Sequence, residues 1–147
     1  MDIHFPPPLF FFFFFQWPAY TRALNLPNSY RQDNEFSVLA DSAQDIFYND
    51  LPAEQRAYWF SQCSRSHSFH TKKAKATHES WLEIPTHYLV CEDDQAIPLP
   101  QQEFMTGMVK EKGGEIQTTR FKSSHSPFLS RPEETVEWIR RVAGEEI

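Results

Sequence analysis

Cysteine is scarce in this sequence of 147 residues, and its cysteines and histidines do not form a set of metal ligands. The two cysteines, Cys63 and Cys91, form no C-x-x-C pair, so neither a zinc site nor a disulfide framework is indicated. His67 and His70 have the spacing of half a metal site, but no further ligand lies near them in the sequence. We therefore expect no metal and no cofactor. Free cysteines are typical of a reducing compartment, which favours the cytoplasm.

Positive charge is also in short supply, because 14 basic residues face 20 acidic ones and the formal net charge is −6. The only tight basic cluster consists of Lys72, Lys73 and Lys75, and three neighbouring lysines usually form a solvated loop. No basic stripe alternates with aromatic residues. Nucleic acid is therefore not an expected partner.

Long apolar runs are missing as well. The longest, Leu9 to Phe15, follows three prolines and is far shorter than the ~20 residues that span a bilayer. No positively charged segment precedes it, which argues against a signal peptide. We interpret residues 1–33 as a low-complexity segment and expect it to be poorly ordered.

Residues 34–83 are predicted to form a helical region. A short helix is expected from Ser42 to Tyr48, with Asp41 as a plausible N-cap. A clearer helix begins near Pro52, a residue that suits a first helical turn, and extends to about Cys63. The polar residues 64–80 are predicted to form an exposed loop.

Residues 84–147 contain the most regular pattern of the chain. Short β-forming runs at 86–91 and 115–121 alternate with helical patterns at 100–112 and 132–142. A strand–helix–strand–helix order is typical of a parallel sheet with crossover connections, so the predicted fold class is α/β. The predicted inward-facing residues of the two helices are Phe104, Met105, Met108, Val136, Trp138, Ile139 and Val142.

Two chemically capable side chains follow the two predicted strands. Asp94 comes directly after the first strand and His125 after the second. In open α/β sheets the functional groups lie just beyond the C-terminal ends of the strands, so these loops are expected to meet. A carboxylate beside an imidazole fixes its tautomer and stabilises the imidazolium formed during proton transfer. Asp93, one residue earlier, is an alternative acid.

Three stretches resemble the α/β-hydrolase superfamily. Ile84 to Pro98 resembles its acid-bearing segment, Ser124 to Pro132 its histidine loop, and Ile46 to Pro52 the end of its helical cap. The similarity is to the branch that includes plant methylesterases and hydroxynitrile lyases, and it covers residues 34–146. It implies a partial α/β-hydrolase fold, with a cap-derived region at 34–83 and the C-terminal part of the sheet at 84–147.

By this resemblance Asp94 is the acid and His125 the general base of a catalytic triad, and the nucleophilic serine is missing. That serine is expected in a G-x-S-x-G turn. The sequence has four glycines, none of which frames a serine: Gly107, Gly113, Gly114 and Gly144. The donors of the oxyanion hole are absent too. We therefore expect a C-terminal fragment of a serine hydrolase, whose parent acts on small or medium esters.

Other interpretations stay open. The chain is alternatively a non-catalytic remnant or an interaction protein, and the same triad also serves lyases within this branch. Aromatic residues of the cap region line a substrate pocket or simply pack together: Phe47, Tyr48, Tyr58, Trp59 and Phe60. A sheet missing its central strands exposes an edge, which favours self-association.

Overall fold

The computed structural model describes residues 30–33, 36–64, 66–68 and 77–146. We number the strands and helices in chain order. They are β1 (Tyr30–Asp33), β2 (Phe36–Leu39), α1 (Ala43–Phe47), α2 (Ala53–Gln62), β3 (Ser66–Ser68), a 3₁₀ turn (Ser80–Leu82), β4 (Thr86–Cys91), α3 (Leu99–Glu111), β5 (Ile116–Phe121), α4 (Pro127–Ser130) and α5 (Pro132–Val142). Within these described ranges, no helix is long and apolar enough to cross a membrane.

Strands β4 and β5 form a parallel pair, as the sequence predicts. They are in register from Thr86 opposite Ile116 to Cys91 opposite Phe121. Helix α3 makes the crossover between them and ends at Glu111. Gly113, two residues later, has a φ of 86°, a left-handed conformation that suits glycine. The strand–helix–strand–helix order of the α/β class is therefore confirmed, and the C-terminal ends of both strands lie at one edge.

A second sheet was not predicted. Strands β1, β2 and β3 form a three-stranded antiparallel sheet, with β2 in the centre. The helical region expected at 34–83 does contain α1 and α2, but it also contains β2 and β3. Each of these strands has only three or four residues, so no alternating pattern is long enough to be recognised.

The predicted low-complexity segment, residues 1–33, overlaps the described residues only at its C-terminal end. Residues 1–29, for which poor order is expected, lie outside the described residues. The last four residues of the segment 1–33 form strand β1, which pairs with β2. The boundary drawn at residue 33 therefore cuts through a hairpin.

The main apolar cluster joins the segment that contains α1 and α2 to the C-terminal part of the chain. Its buried members are Leu39, Ala43, Tyr48, Leu51 and Phe60. Leu129 of α4 packs against this cluster, and α4 directly follows the loop that carries His125. Hydrophobic burial therefore ties that loop to the residues around α1.

The predicted inner faces of α3 and α5 were partly wrong: Phe104, Val136, Ile139 and Val142 are exposed, whereas Met105, Met108 and Trp138 are half-buried. The residues that α3 buries are Gln101, Gln102 and Thr106, whereas Phe104 is 45% exposed. In α5 the buried residue is Thr135, and Val136 and Ile139 are each 53% exposed. The cause in α3 is that Gln102 supplies hydrogen bonds to the end of β4, a need that an apolar pattern does not reveal.

Candidate active site

The loop after β4 holds Asp94 in a fixed orientation. Asp94 is 8% exposed, and its Oδ1 atom accepts hydrogen bonds from the backbone N–H groups of Ala96 at 2.7 Å and Ile97 at 2.9 Å. An aspartate that caps its own turn in this way is a common loop feature. Because Oδ1 is committed to the turn, Oδ2 is left to contact a different partner.

Gln102 of α3 closes the same loop from inside. Its Oε1 accepts from the Cys91 N–H group at 2.9 Å. Its Nε2 donates to the carbonyl oxygens of Cys91 at 2.8 Å and Ile97 at 2.7 Å. Gln102 is 1% exposed, so these backbone groups are satisfied where water cannot reach them easily.

The loop after β5 lies beside the Asp94 loop. The Asp93 N–H group donates to the Ser123 carbonyl at 3.1 Å, and the Glu92 N–H group donates to the Phe121 carbonyl at 2.9 Å. These bonds continue the pairing of β4 and β5 beyond their ends. They bring the two loops together at the edge where the sequence places them.

Asp94 and His125 are in direct contact. The distance between His125 Nδ1 and Asp94 Oδ2 is 2.9 Å, and the side chains are 35% and 5% exposed respectively. Since a carboxylate accepts this hydrogen bond, Nδ1 carries the proton and Nε2 is left with a lone pair. The arrangement provides an oriented imidazole whose accessible nitrogen can take up a proton.

The neighbouring candidates have other roles. Asp93 is exposed, and the carboxylate that contacts the imidazole belongs to Asp94 instead. The Ser124 hydroxyl donates to the Phe47 carbonyl at 3.3 Å, and the Ser126 N–H group donates to the Ser124 hydroxyl at 3.4 Å. The Ser124 hydroxyl therefore has one hydrogen bond to the end of α1 and one within its own loop.

The end of α1 and the turn that follows it contact both loops, which the sequence did not reveal. The Phe47 ring stacks on the His125 ring with centroids 5.3 Å apart and planes at 29°. Asp50 Oδ2 accepts from the Ser124 N–H group at 2.8 Å. Asn49 Nδ2 donates to the Asp93 carbonyl at 3.1 Å. The only sequence signal was the resemblance of Ile46 to Pro52 to the end of a cap, which assigned these residues no chemistry.

Three pKa shifts describe the electrostatics around the pair. Burial raises the pKa of the Tyr88 phenol, and the negative charge of Asp94 raises it further. Burial likewise raises the pKa of the Cys91 thiol, with Asp94 adding to the effect. Partial burial acts to raise the pKa of Asp50, but the hydrogen bonds from Ser124 help to bring it below its usual value. Cys91 is therefore held as a neutral thiol, a poor nucleophile.

No metal site accompanies the pair in the described part of the chain. Among those residues, no group of three histidine, cysteine, aspartate or glutamate side chains is placed to hold a metal ion. The spacing of His67 and His70 suggests half a metal site, and His70 lies outside the described residues. The chemistry that the described residues offer is that of a hydrogen-bonded acid–base pair.

Comparison with known proteins identifies the family of the chain. The model of the alpha/beta hydrolase family matches residues 3–138, so the chain belongs to that family. The match begins upstream of residues 34–146, the part of the sequence that resembles the superfamily. A curated relative from Aspergillus novofumigatus, described as the alpha/beta hydrolase nvfD, is 37% identical over 120 residues, which are 81% of this chain and 46% of that protein.

Other matches agree with this assignment. A protein from a Phoma species, described as a probable hydrolase, is 33% identical over 70 residues, covering 47% of this chain and 29% of that protein. The crystal structure of polyneuridine aldehyde esterase superposes with a TM-score of 0.61 at 15% identity, over 87% of this chain and 55% of that one. The chain therefore spans about half the length, or less, of these relatives, and it shares their α/β-hydrolase fold.

Proposed function

We propose that Asp94 and His125 are the acid and the general base of a serine-hydrolase site that acts on carboxylic esters. The observation that carries this proposal is the hydrogen bond of 2.9 Å between His125 Nδ1 and the buried carboxylate of Asp94. Its place at the C-terminal edge of two adjacent parallel strands supports a catalytic role. The ester substrate is inferred from the fold that the chain shares with polyneuridine aldehyde esterase.

The proposed chemistry follows from the free nitrogen of the imidazole. His125 Nε2 removes the proton from a serine hydroxyl as that oxygen attacks the ester carbonyl, and later returns it to the leaving alcohol. Asp94 stabilises the imidazolium formed in between. This sequence contains no G-x-S-x-G turn. We therefore propose that the nucleophile comes from residues outside these 147, in a longer product of which this chain is the C-terminal part.

A fluorophosphonate probe, which labels activated serines, tests the proposal. The samples are the 147-residue chain and the longest translated product that contains it, each as wild type, Asp94→Asn and His125→Gln. The matched control is His78→Gln, because His78 is exposed and pairs with Glu83 away from the site.

We expect labelling of the longer product to fall by about a thousandfold or more in His125→Gln and Asp94→Asn, because activated serines depend on this pair. His78→Gln should label like wild type, and the 147-residue chain should not be labelled. Unchanged labelling in His125→Gln would remove the proposed role of the histidine. Labelling of the short chain would show that its nucleophile is present after all.

A non-catalytic interaction protein is the second candidate. In the described residues β4 and β5 pair only with each other, so the sheet offers a strand edge for self-association. This candidate predicts no labelling in either product and a sedimentation coefficient that rises with concentration. Lyase chemistry on the same triad is separated from ester hydrolysis by analysing the products of turnover.

The cellular location belongs with these proposals. Cys63 and Cys91 are both free thiols in the structure. Free thiols are typical of proteins in a reducing compartment, and on that basis we propose the cytoplasm. Imaging of a tagged chain, with a tag at either end in separate samples, checks this.

A further inference from the structure

We infer that the four-residue turn Phe47–Asp50 is a clamp that holds the acid loop and the histidine loop in register, with Asp50 as its main positioning residue. This inference rests on the proposed role of Asp94 and His125. It assigns a positioning function to a segment that contacts the backbone or the ring of residues in both loops. The clamp begins at Phe47, the last residue of α1, and lies far from both loops in the sequence.

The strongest contact of the clamp is made by Asp50. Its Oδ2 atom accepts from the Ser124 N–H group at 2.8 Å, across 74 residues of sequence. Ser124 is 0% exposed, so its N–H group has little access to water and needs a protein partner. A carboxylate is a strong acceptor for a backbone N–H group. Asp50 therefore fixes the backbone immediately before His125.

Phe47 holds the same loop from a second direction. Its carbonyl oxygen accepts from the Ser124 hydroxyl at 3.3 Å. Its ring stacks on the His125 imidazole with centroids 5.3 Å apart. The imidazole is thus held in place by the ring on its face and by Asp94 at Nδ1, and its side chain keeps 35% exposure.

Asn49 connects the clamp to the acid loop. Its Nδ2 atom donates to the Asp93 carbonyl at 3.1 Å, one residue before Asp94. A single turn therefore contacts the backbone next to the acid and the backbone next to the base. The Nδ1–Oδ2 contact tolerates an error of only a few tenths of an ångström. Holding both loops against one segment reduces the freedom of that contact.

The test measures the geometry of the pair directly by NMR of the His125 side chain. The signatures are the fraction of the Nδ1–H tautomer, read from the ring ¹⁵N shifts, and the exchange rate of the Nδ1 proton with water. The variants are Asp50→Ala, which removes the acceptor, and Asp50→Asn, which keeps an acceptor oxygen of the same size. The control is Asp45→Ala, because Asp45 bonds to Arg56 at the surface and not to either loop.

We expect exchange of the Nδ1 proton to accelerate by about tenfold in Asp50→Ala, the equivalent of one lost hydrogen bond to a charged group. Asp50→Asn should restore most of the wild-type rate, and Asp45→Ala should match wild type. A folded Asp50→Ala chain with the wild-type signature would overturn the clamp. An equal effect in Asp45→Ala would also overturn it, since general destabilisation would then be the cause.

Two further samples keep the outcome decisive. If Asp50→Ala does not fold, Phe47→Leu replaces it, because leucine keeps the apolar contact but not the stacked ring; an unchanged exchange rate there would contradict the clamp. Asp94→Asn separates this inference from the proposed function. The proposed acid–base pair itself, and not only the clamp, would be contradicted by either of two results. One is the absence of the Nδ1–H signature from the wild-type chain, and the other is the same signature in wild type and Asp94→Asn.

Discussion

Replacing Gln102 with leucine should loosen the acid loop and destabilise the fold, although leucine has nearly the same size. The Gln102 side chain makes three hydrogen bonds, with the N–H and carbonyl groups of Cys91 and with the carbonyl of Ile97. The Cys91 carbonyl also receives the Asp94 N–H group at 3.4 Å, so it keeps a partner after the substitution. The Cys91 N–H group and the Ile97 carbonyl lose theirs.

The expected cost follows from these two groups. A buried backbone group left without a partner costs about 1–3 kcal/mol, so two of them cost about 2–4 kcal/mol after partial relaxation. The stability of a typical domain is only about 5–15 kcal/mol. The free energy of unfolding should therefore fall by a large fraction, and the backbone around Asp94 should become mobile.

Urea unfolding followed by tryptophan fluorescence measures this change, and the neighbouring Gln101 supplies a matched control. Gln101 is 2% exposed, and its Nε2 atom has no hydrogen-bond partner in the described part of the chain. Gln101→Leu removes a buried donor without breaking a hydrogen bond of that donor, so it should leave the free energy of unfolding unchanged or raise it by up to about 1–3 kcal/mol. If the two leucine variants are equally stable, the hydrogen bonds of Gln102 do not stabilise the acid loop.

The remaining predictions concern three other sites. Burial raises the pKa of Cys91. At neutral pH the alkylation of Cys91 by iodoacetamide should therefore be slower than that of the partly exposed Cys63 by a factor of about ten or more. In urea, which serves as the control, the two rates should be equal. Gly113→Ala should lower the free energy of unfolding by about 1–2 kcal/mol, because φ is 86° at that residue. Gly107→Ala should instead stabilise α3 by about 0.5–1 kcal/mol, because the added methyl group meets nothing within 4 Å. Thermal unfolding of both variants measures the difference. The pKa of Asp50 is lowered in the folded chain. The stabilisation that the Asp50 carboxylate provides is therefore complete above the pKa of Asp50 in the unfolded chain and is lost as the pH falls through its pKa in the folded chain. Below about pH 4 the melting temperature of wild type should drop more steeply than that of Asp50→Asn. Parallel curves for the two chains would contradict this reading.

The parallel part of the fold was predictable because its signals are local. The strand Thr86–Cys91 and the helix Pro132–Val142 have the bounds that the sequence indicates. A β-forming run ending in an acidic turn, and a proline followed by acidic residues, mark those boundaries within a few positions. The short antiparallel strands carry no comparable signal and depend on pairing with each other.

The candidate site was predictable only in part. Asp94 and His125 could be named because each follows a strand whose C-terminal end lies at the same edge of the sheet. The contributions of Gln102, Asn49 and Asp50 could not, since their partners are backbone groups 11, 44 and 74 residues away. Such contacts have no periodicity and leave no trace in composition.

By itself the sequence determined the α/β class of residues 84–142 and which carboxylate and imidazole are candidates for chemistry, because strand order and loop position follow from local patterns. Only the tertiary structure decided that Asp94 rather than Asp93 meets His125, and that the turn Phe47–Asp50 holds both loops. The physical reason is that adjacent loop residues point in different directions, and hydrogen bonds require distances near 3 Å that only the packed chain defines.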